Sequence, residues 1–172
     1  MQRFFDAVDR VNVSADTPSP AEPETKTEDR CSVHANESVV LVVDDDQLMR
    51  EALCEYLMRN AFAATGVASA RDAYERILEL RGHICALITD MVIPGGGGWE
   101  LARTARHVVP DLAVLFISGA INEDVIKSAS THPCTGFLQK PFEFWVLIDE
   151  LQSLISERTN RRNCNLRQSR EI

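Results

Sequence analysis

The chain has 172 residues, 45% of them hydrophobic, and a formal net charge of −8 at pH 7. That is one ordinary domain with tails and enough apolar material for a single core. The acidic balance argues against a surface built to coat nucleic acid, and no apolar stretch reaches the ~18 residues of a membrane span. Cys31, Cys54, Cys85, Cys134 and Cys164 are odd in number, far apart and without a C-x-x-C pair. This excludes a disulfide framework or a zinc site and points to reduced thiols in the cytoplasm. The N-terminus lacks the basic-then-apolar order of a secretory signal.

Residues 1–37 read as an extension, largely disordered. Phe4, Phe5, Val8 and Val11 make only a weak helical stripe, and residues 14–30 are rich in Pro, Glu, Thr and Ser. Such a composition buries too little apolar surface to offset its ordering entropy. From residue 38 the pattern changes. Residues 39–43, VVLVV, form an apolar, largely β-branched run that predicts a strand buried on both faces. Asp44, Asp45 and Asp46 follow at its end. A helix over 47–60 presents Met49, Ala52, Leu53, Tyr56 and Leu57 on one face, with Asp46 as its cap. A weak strand spans 62–67. Ser69 caps a helix to about 81 with Ala73, Ile77 and Leu80 inward. The third strand, 84–89, ends at Asp90, after which Pro94 and the run Gly95–Gly98 break regular structure. A helix over 98–108 follows, then a fourth strand over 112–117 that ends on Ser118. Asn122 caps a helix to about 130. A short strand over 135–138 runs into Lys140 and Pro141, and a last helix spans 142–156. The arginine-rich residues 158–172 have no apolar period and read as a solvated basic tail, too short for a DNA-binding domain. The folded domain is therefore 38–157.

Five strands alternating with helices predict an α/β fold, a doubly wound parallel sheet with helices on both faces. Asp44 and Asp45, Asp90, Ser118 and Lys140 all fall at the C-terminal ends of apolar runs. In an open α/β sheet those ends converge on one edge, where ligands bind. Carboxylates gathered there repel unless a cation neutralises them. Magnesium suits the task, taking carboxylate oxygens, a backbone carbonyl and waters. Lys140 adds a compact positive charge and Ser118 a hydroxyl donor. The set can bind a dianionic phosphoryl group beside a carboxylate, and carboxylates are competent covalent carriers of phosphate.

Four segments, VLVVDDDQLMREAL, ALITDMVIPGGGGWELA, VLFISGA and GFLQKPF, resemble the signature segments of the response-regulator receiver domain of two-component signalling. The likeness covers about residues 38–157, with all four segments in order and at the usual separations. The PGGGG-W-E-L wording and the FLQKPF ending are most similar to receivers attached to hybrid sensor kinases. The resemblance implies a flavodoxin-like strand order, 2-1-3-4-5. It implies that Asp44 and Asp45 hold Mg²⁺ together with Asp90 and the carbonyl of Val92. It implies that Asp90 accepts a phosphoryl group from a sensor histidine kinase or a histidine phosphotransfer protein. Ser118 and Lys140 then contact the phosphoryl oxygens, Ser118 and Phe137 form the switch, and the peptide between Lys140 and Pro141 is cis. Phe137 lacks the hydroxyl that the family often carries at the switch, and the glycine run is looser than usual.

The expected function is thus that of a phosphoacceptor, not an enzyme with external turnover, although it assists its own phosphorylation and dephosphorylation. Phosphorylation pulls Ser118 inward, makes room for Phe137 and remodels the face built from about 121–156. With no output domain in view, that face meets a downstream protein or a dimer mate, or the chain serves as a relay. Two alternatives stand beside this reading. One is a binding module independent of phosphate, against which the complete Asp, Ser and Lys set argues. The other is a Mg²⁺-dependent phosphohydrolase, which needs a second Asp where Val92 stands. DNA regulation through the arginine tail rests on a charge run alone.

Overall fold

The computed structural model describes residues 39–120 and 132–168, with side chains as far as 164. Its core is a five-stranded sheet in the order β2-β1-β3-β4-β5, every neighbouring pair parallel. The strands are β1 (Val39–Val43), β2 (Ala63–Val67), β3 (Ile84–Asp90), β4 (Ala113–Ser118) and β5 (Thr135–Gln139). The helices are α1 (Gln47–Arg59), α2 (Ala70–Leu80), α3 (Gly97–Val108) and α4 (Phe144–Gln168). The flavodoxin-like order and the parallel, doubly covered sheet are as expected from the sequence. The helix expected over 122–130 and the N-terminal extension lie outside the described residues.

The apolar runs are uninterrupted because the central strands are covered on both faces. Alternate residues divide between two cores. Val40, Val42, Leu115 and Ile117 pack with Leu53 and Leu57 of α1 and Leu147 and Leu151 of α4. Leu41, Val43, Val114 and Phe116 pack with Ala73 and Ile77 of α2 and Leu101 and Ala105 of α3. Asp46 and Ser69 cap α1 and α2 as read from the sequence: Asp46 accepts from the N–H groups of Leu48 and Met49, and Ser69 from that of Asp72. Arg106 of α3 ties the two far strands together. Its Nη2 donates to Thr135 Oγ1 at 2.8 Å and to the carbonyls of Leu112 and Cys134, each at 3.2 Å.

The last helix corrects the reading of 158–172 as a solvated tail. It continues to Gln168, and Arg158 is buried, only 5% exposed. The apolar stripe of α4 stops at Ile155, so periodicity carries no signal further along. Arg158 nevertheless follows Leu151 and Leu154 on the buried face, its stem acting as apolar surface. Asp111, in the turn between α3 and β4, answers the charge: its Oδ2 lies 3.4 Å from Arg158 Nε and also accepts a hydrogen bond from Arg162. A chain ending at Glu157 is therefore expected to lose about 2 kcal/mol of stability in urea unfolding, where a solvated tail would cost nothing.

Among the described residues Cys54, Cys85, Cys134 and Cys164 form no disulfide. Burial pushes the Cys85 thiol up to about 11, so it packs as a small hydrophobe. Among the described residues no helix is long and apolar enough to cross a membrane.

Candidate functional site

Strand register builds the site. Val43 of β1 pairs with Thr89 of β3, so Asp44 and Asp90 leave neighbouring strands side by side. Ser118 of β4 pairs with Gln139 of β5, and the ladder runs on as Lys140 N donates to the Ser118 carbonyl at 2.8 Å. The peptide between Lys140 and Pro141 is cis. Four sequence positions as far apart as 44 and 140 thus reach one sheet edge.

The Lys140 ammonium joins two of the carboxylates. Its Nζ donates to Asp90 Oδ2 at 2.7 Å and to Asp44 Oδ2 at 3.0 Å. Asp44 is only 2% exposed, and a buried carboxylate needs both a counter-charge and hydrogen bonds. It has them, because its Oδ1 accepts from the Asp46 N–H at 2.9 Å. Asp90 Oδ1 accepts from the Val92 N–H at 2.8 Å, which aims the carboxylate across the pocket. Burial works against the charge on Lys140, but the hydrogen bonds to Asp90 and Asp44 outweigh it and raise its pKa above the ordinary lysine value. The ammonium stays charged throughout the neutral range, and its contribution to stability is lost only as pH rises past that value.

The other sequence-derived positions are less tightly joined. Asp45 is exposed, and so is the Val92 side chain. Ser118 is buried, but its hydroxyl donates to the Ala120 carbonyl at 2.8 Å and accepts from the Ala120 N–H at 3.3 Å. Phe137 is half-buried and stacks on Phe116, ring centroids 5.3 Å apart. Trp99 also packs on Phe116, ring centroids 5.6 Å apart. Among the described residues no three His, Cys, Asp or Glu side chains close into a metal cage. Magnesium does not require one. It is commonly held by one or two carboxylates, waters and a substrate phosphate. The donors here are all oxygens, two of them on carboxylates held in place, so the site fits that cation.

Sequence reading missed three contributors. Gly98 is the last of four consecutive glycines, yet it alone of the four packs against the Asp90 carbonyl at the end of β3: a Cβ there would lie 2.2 Å from the Asp90 carbonyl oxygen. Thr89, fully buried, donates from Oγ1 to that same carbonyl at 2.9 Å. Arg50 reaches back from α1 to the Asp44 carbonyl, with Nη1 at 2.6 Å. No local pattern flags a close approach of this kind. The glycine loop is also better anchored than its composition suggests. Ala70 N donates to the Pro94 carbonyl and Gly98 N to the Met91 carbonyl, each at 3.0 Å.

The chain is similar to known proteins. The model of the "Response regulator receiver domain" family matches residues 40–152. Response regulator receiver protein CpdR of Brucella abortus is 31% identical over 116 residues, 67% of this chain and 95% of CpdR. Sensor kinase CckA of the same organism is 27% identical over 139 residues, 81% of this chain but only 15% of CckA. The crystal structure of a response regulator receiver protein from Sinorhizobium medicae superposes with a TM-score of 0.63 at 26% identity, covering 71% of this chain and 97% of that one. With the strand order, the bridged carboxylates and the matched 40–152 in agreement, the chain belongs to the response regulator receiver domain family.

Proposed function

We propose that this chain is a phosphoacceptor whose acceptor group is Asp90. The donor is a phosphohistidine on a sensor histidine kinase or a histidine phosphotransfer protein. An Asp90 carboxylate oxygen attacks phosphorus, the P–N bond breaks, and its electron pair returns to the imidazole nitrogen. Mg²⁺ held by Asp44, Asp45, Asp90 and the Val92 carbonyl supplies neutralisation of the developing charge when bound. Lys140 binds a phosphoryl oxygen with the ammonium it already keeps on Asp90. Ser118 gives up its bond to the Ala120 carbonyl and donates to a second oxygen. Its departure makes room for Phe137, whose ring stacks on Phe116. The altered surface of β5 and α4 then carries the state of Asp90 to a protein partner.

The observation that carries this reading is the Lys140 bridge, 2.7 Å from Asp90 and 3.0 Å from Asp44. A structural lysine at the protein surface would gain little from two such bonds. Here the ammonium ties the buried Asp44 to Asp90, the carboxylate proposed to take the phosphoryl group.

Beryllofluoride, a mimic of the phosphoryl group, tests the proposal directly. In fluorine NMR it is expected to give bound resonances only when Mg²⁺ is present, together with amide shifts at Ser118 and Phe137. A phosphate-independent binding module would give no bound resonance, and that result would sink the proposal. A phosphohydrolase would instead turn over a generic phosphomonoester.

A further inference from the structure

We propose that Arg50 is a positioning residue for the acidic pocket, acting through the backbone of Asp44 and not on any ligand. The inference rests on the phosphoacceptor reading above. Arg50 lies in the first turn of α1, where its N–H closes a helical bond to the Asp46 carbonyl at 3.0 Å. Its side chain turns back past the helix start, and Nη1 donates to the Asp44 carbonyl at 2.6 Å. That carbonyl belongs to the peptide joining Asp44 to Asp45. Holding it fixes the rotation of the one peptide unit that relates the two carboxylates.

A guanidinium at a helix N-terminus faces the positive end of the helix dipole, an unfavourable placement by itself. The run Asp44, Asp45 and Asp46 reverses that balance. The turn is then gripped from three sides: Val67 accepts from the Asp44 N–H at 3.3 Å, Lys140 holds the Asp44 side chain, and Arg50 holds its carbonyl.

The neighbouring strand makes room for this grip. A Cβ on Gly66 of β2 would lie 2.7 Å from Arg50 Cγ, 3.1 Å from its Cδ and 3.1 Å from Cys54 Sγ. Gly66 does not adopt the left-handed conformation that demands glycine, so what its position needs is the missing side chain. Glycine weakens a strand, and close approach of another group is one established reason to find it there. Arg50 and Gly66 therefore act as one unit, and a methyl on β2 dislodges a side chain that reports on the acidic turn.

Mg²⁺ titration of the full chain by calorimetry, well below the unfolding temperature, tests this without any phosphorylation. Arg50→Ala is expected to weaken Mg²⁺ binding on the order of tenfold, the usual effect of removing a group that orients metal ligands. Gly66→Ala, which changes no charge and touches no carboxylate, should weaken it in the same direction. Adding Gly66→Ala to Arg50→Ala should then cost little more, because the tightest clash, 2.7 Å on Arg50 Cγ, is gone and only the 3.1 Å contact with Cys54 Sγ remains. Arg50→Lys, which keeps the charge but loses the reach of the fork, should bind as weakly as Arg50→Ala. Arg59→Ala, which removes an exposed charge from the same helix, should stay within twofold of the parent chain. Additive effects of the Arg50 and Gly66 changes, or full rescue by lysine, would overturn the inference. So would unchanged affinity in Arg50→Ala when the parent chain binds Mg²⁺. A parent chain that binds no Mg²⁺ would overturn the phosphoacceptor reading and this inference together.

Discussion

An Asp90→Asn variant will take up no phosphoryl group from a phosphohistidine donor, with incorporation lower by at least about a thousandfold, while staying folded. Asparagine keeps the shape of the side chain and an oxygen able to accept the Val92 N–H that Asp90 Oδ1 accepts at 2.8 Å. Lys140 keeps Asp44 as its partner at 3.0 Å, so the buried carboxylate is not left without a counter-charge. Two effects on stability oppose each other. One charge-assisted hydrogen bond becomes an ordinary one, and two neighbouring carboxylates become one. The net change should stay within about 1 kcal/mol. What disappears is the proposed nucleophile, since a neutral amide oxygen does not displace imidazole from phosphorus. The measurement is acid-labile phosphate or added mass mapped to the peptide that contains residue 90. Incorporation that survives the substitution would mean that another carboxylate is the acceptor.

Gly98→Ala is expected to be the most damaging of the glycine-to-alanine substitutions. An ideal Cβ there would stand 2.2 Å from the Asp90 carbonyl oxygen, 3.1 Å from the Asp90 carbonyl carbon and 3.0 Å from Thr89 Oγ1. The first two are backbone atoms at the end of a central strand and cannot swing aside as a flexible side chain would. Either α3 retreats, breaking the Gly98 N–H bond to the Met91 carbonyl, or the end of β3 shifts and takes Asp90 with it. Overpacking of a buried contact costs roughly 1–3 kcal/mol and more where the neighbour is rigid, so a loss of about 3 kcal/mol or greater in urea unfolding is expected. Phosphorylation should fall even in the fraction that folds. Gly82→Ala supplies the contrast: nothing lies within 4 Å of a Cβ there, and the change should stay within about 0.5 kcal/mol. Equal losses at the two positions would contradict the packing argument.

The strands were readable because a parallel strand covered on both faces must be apolar along its whole length. β1 was bounded correctly at Val39–Val43 from that run alone, and the other strands to within a residue or two. The caps at Asp46 and Ser69 were readable because a side chain that accepts from the first helical N–H groups must stand just ahead of the apolar face. The helix beyond Glu157 was not readable. Its buried residue is an arginine, and the reason that arginine is buried lies at Asp111, in a different loop. Nor did composition distinguish Gly98 from the glycines before it, since the need for a bare Cα there comes from the Asp90 carbonyl.

Local pattern alone therefore determined the element order, the fold class and the chemical inventory of the site: acids, a hydroxyl and an amine, each at the end of an apolar run. Only the tertiary structure decided how those groups face one another. It put one ammonium on two carboxylates, turned the Ser118 hydroxyl toward Ala120, and set Arg50 against Gly66. The physical reason is range. Burial and helix capping act between residues a few positions apart and leave a period in the chain, whereas a hydrogen bond between positions 44 and 140, or a contact too tight for a methyl group, exists only once the sheet has brought its edges together.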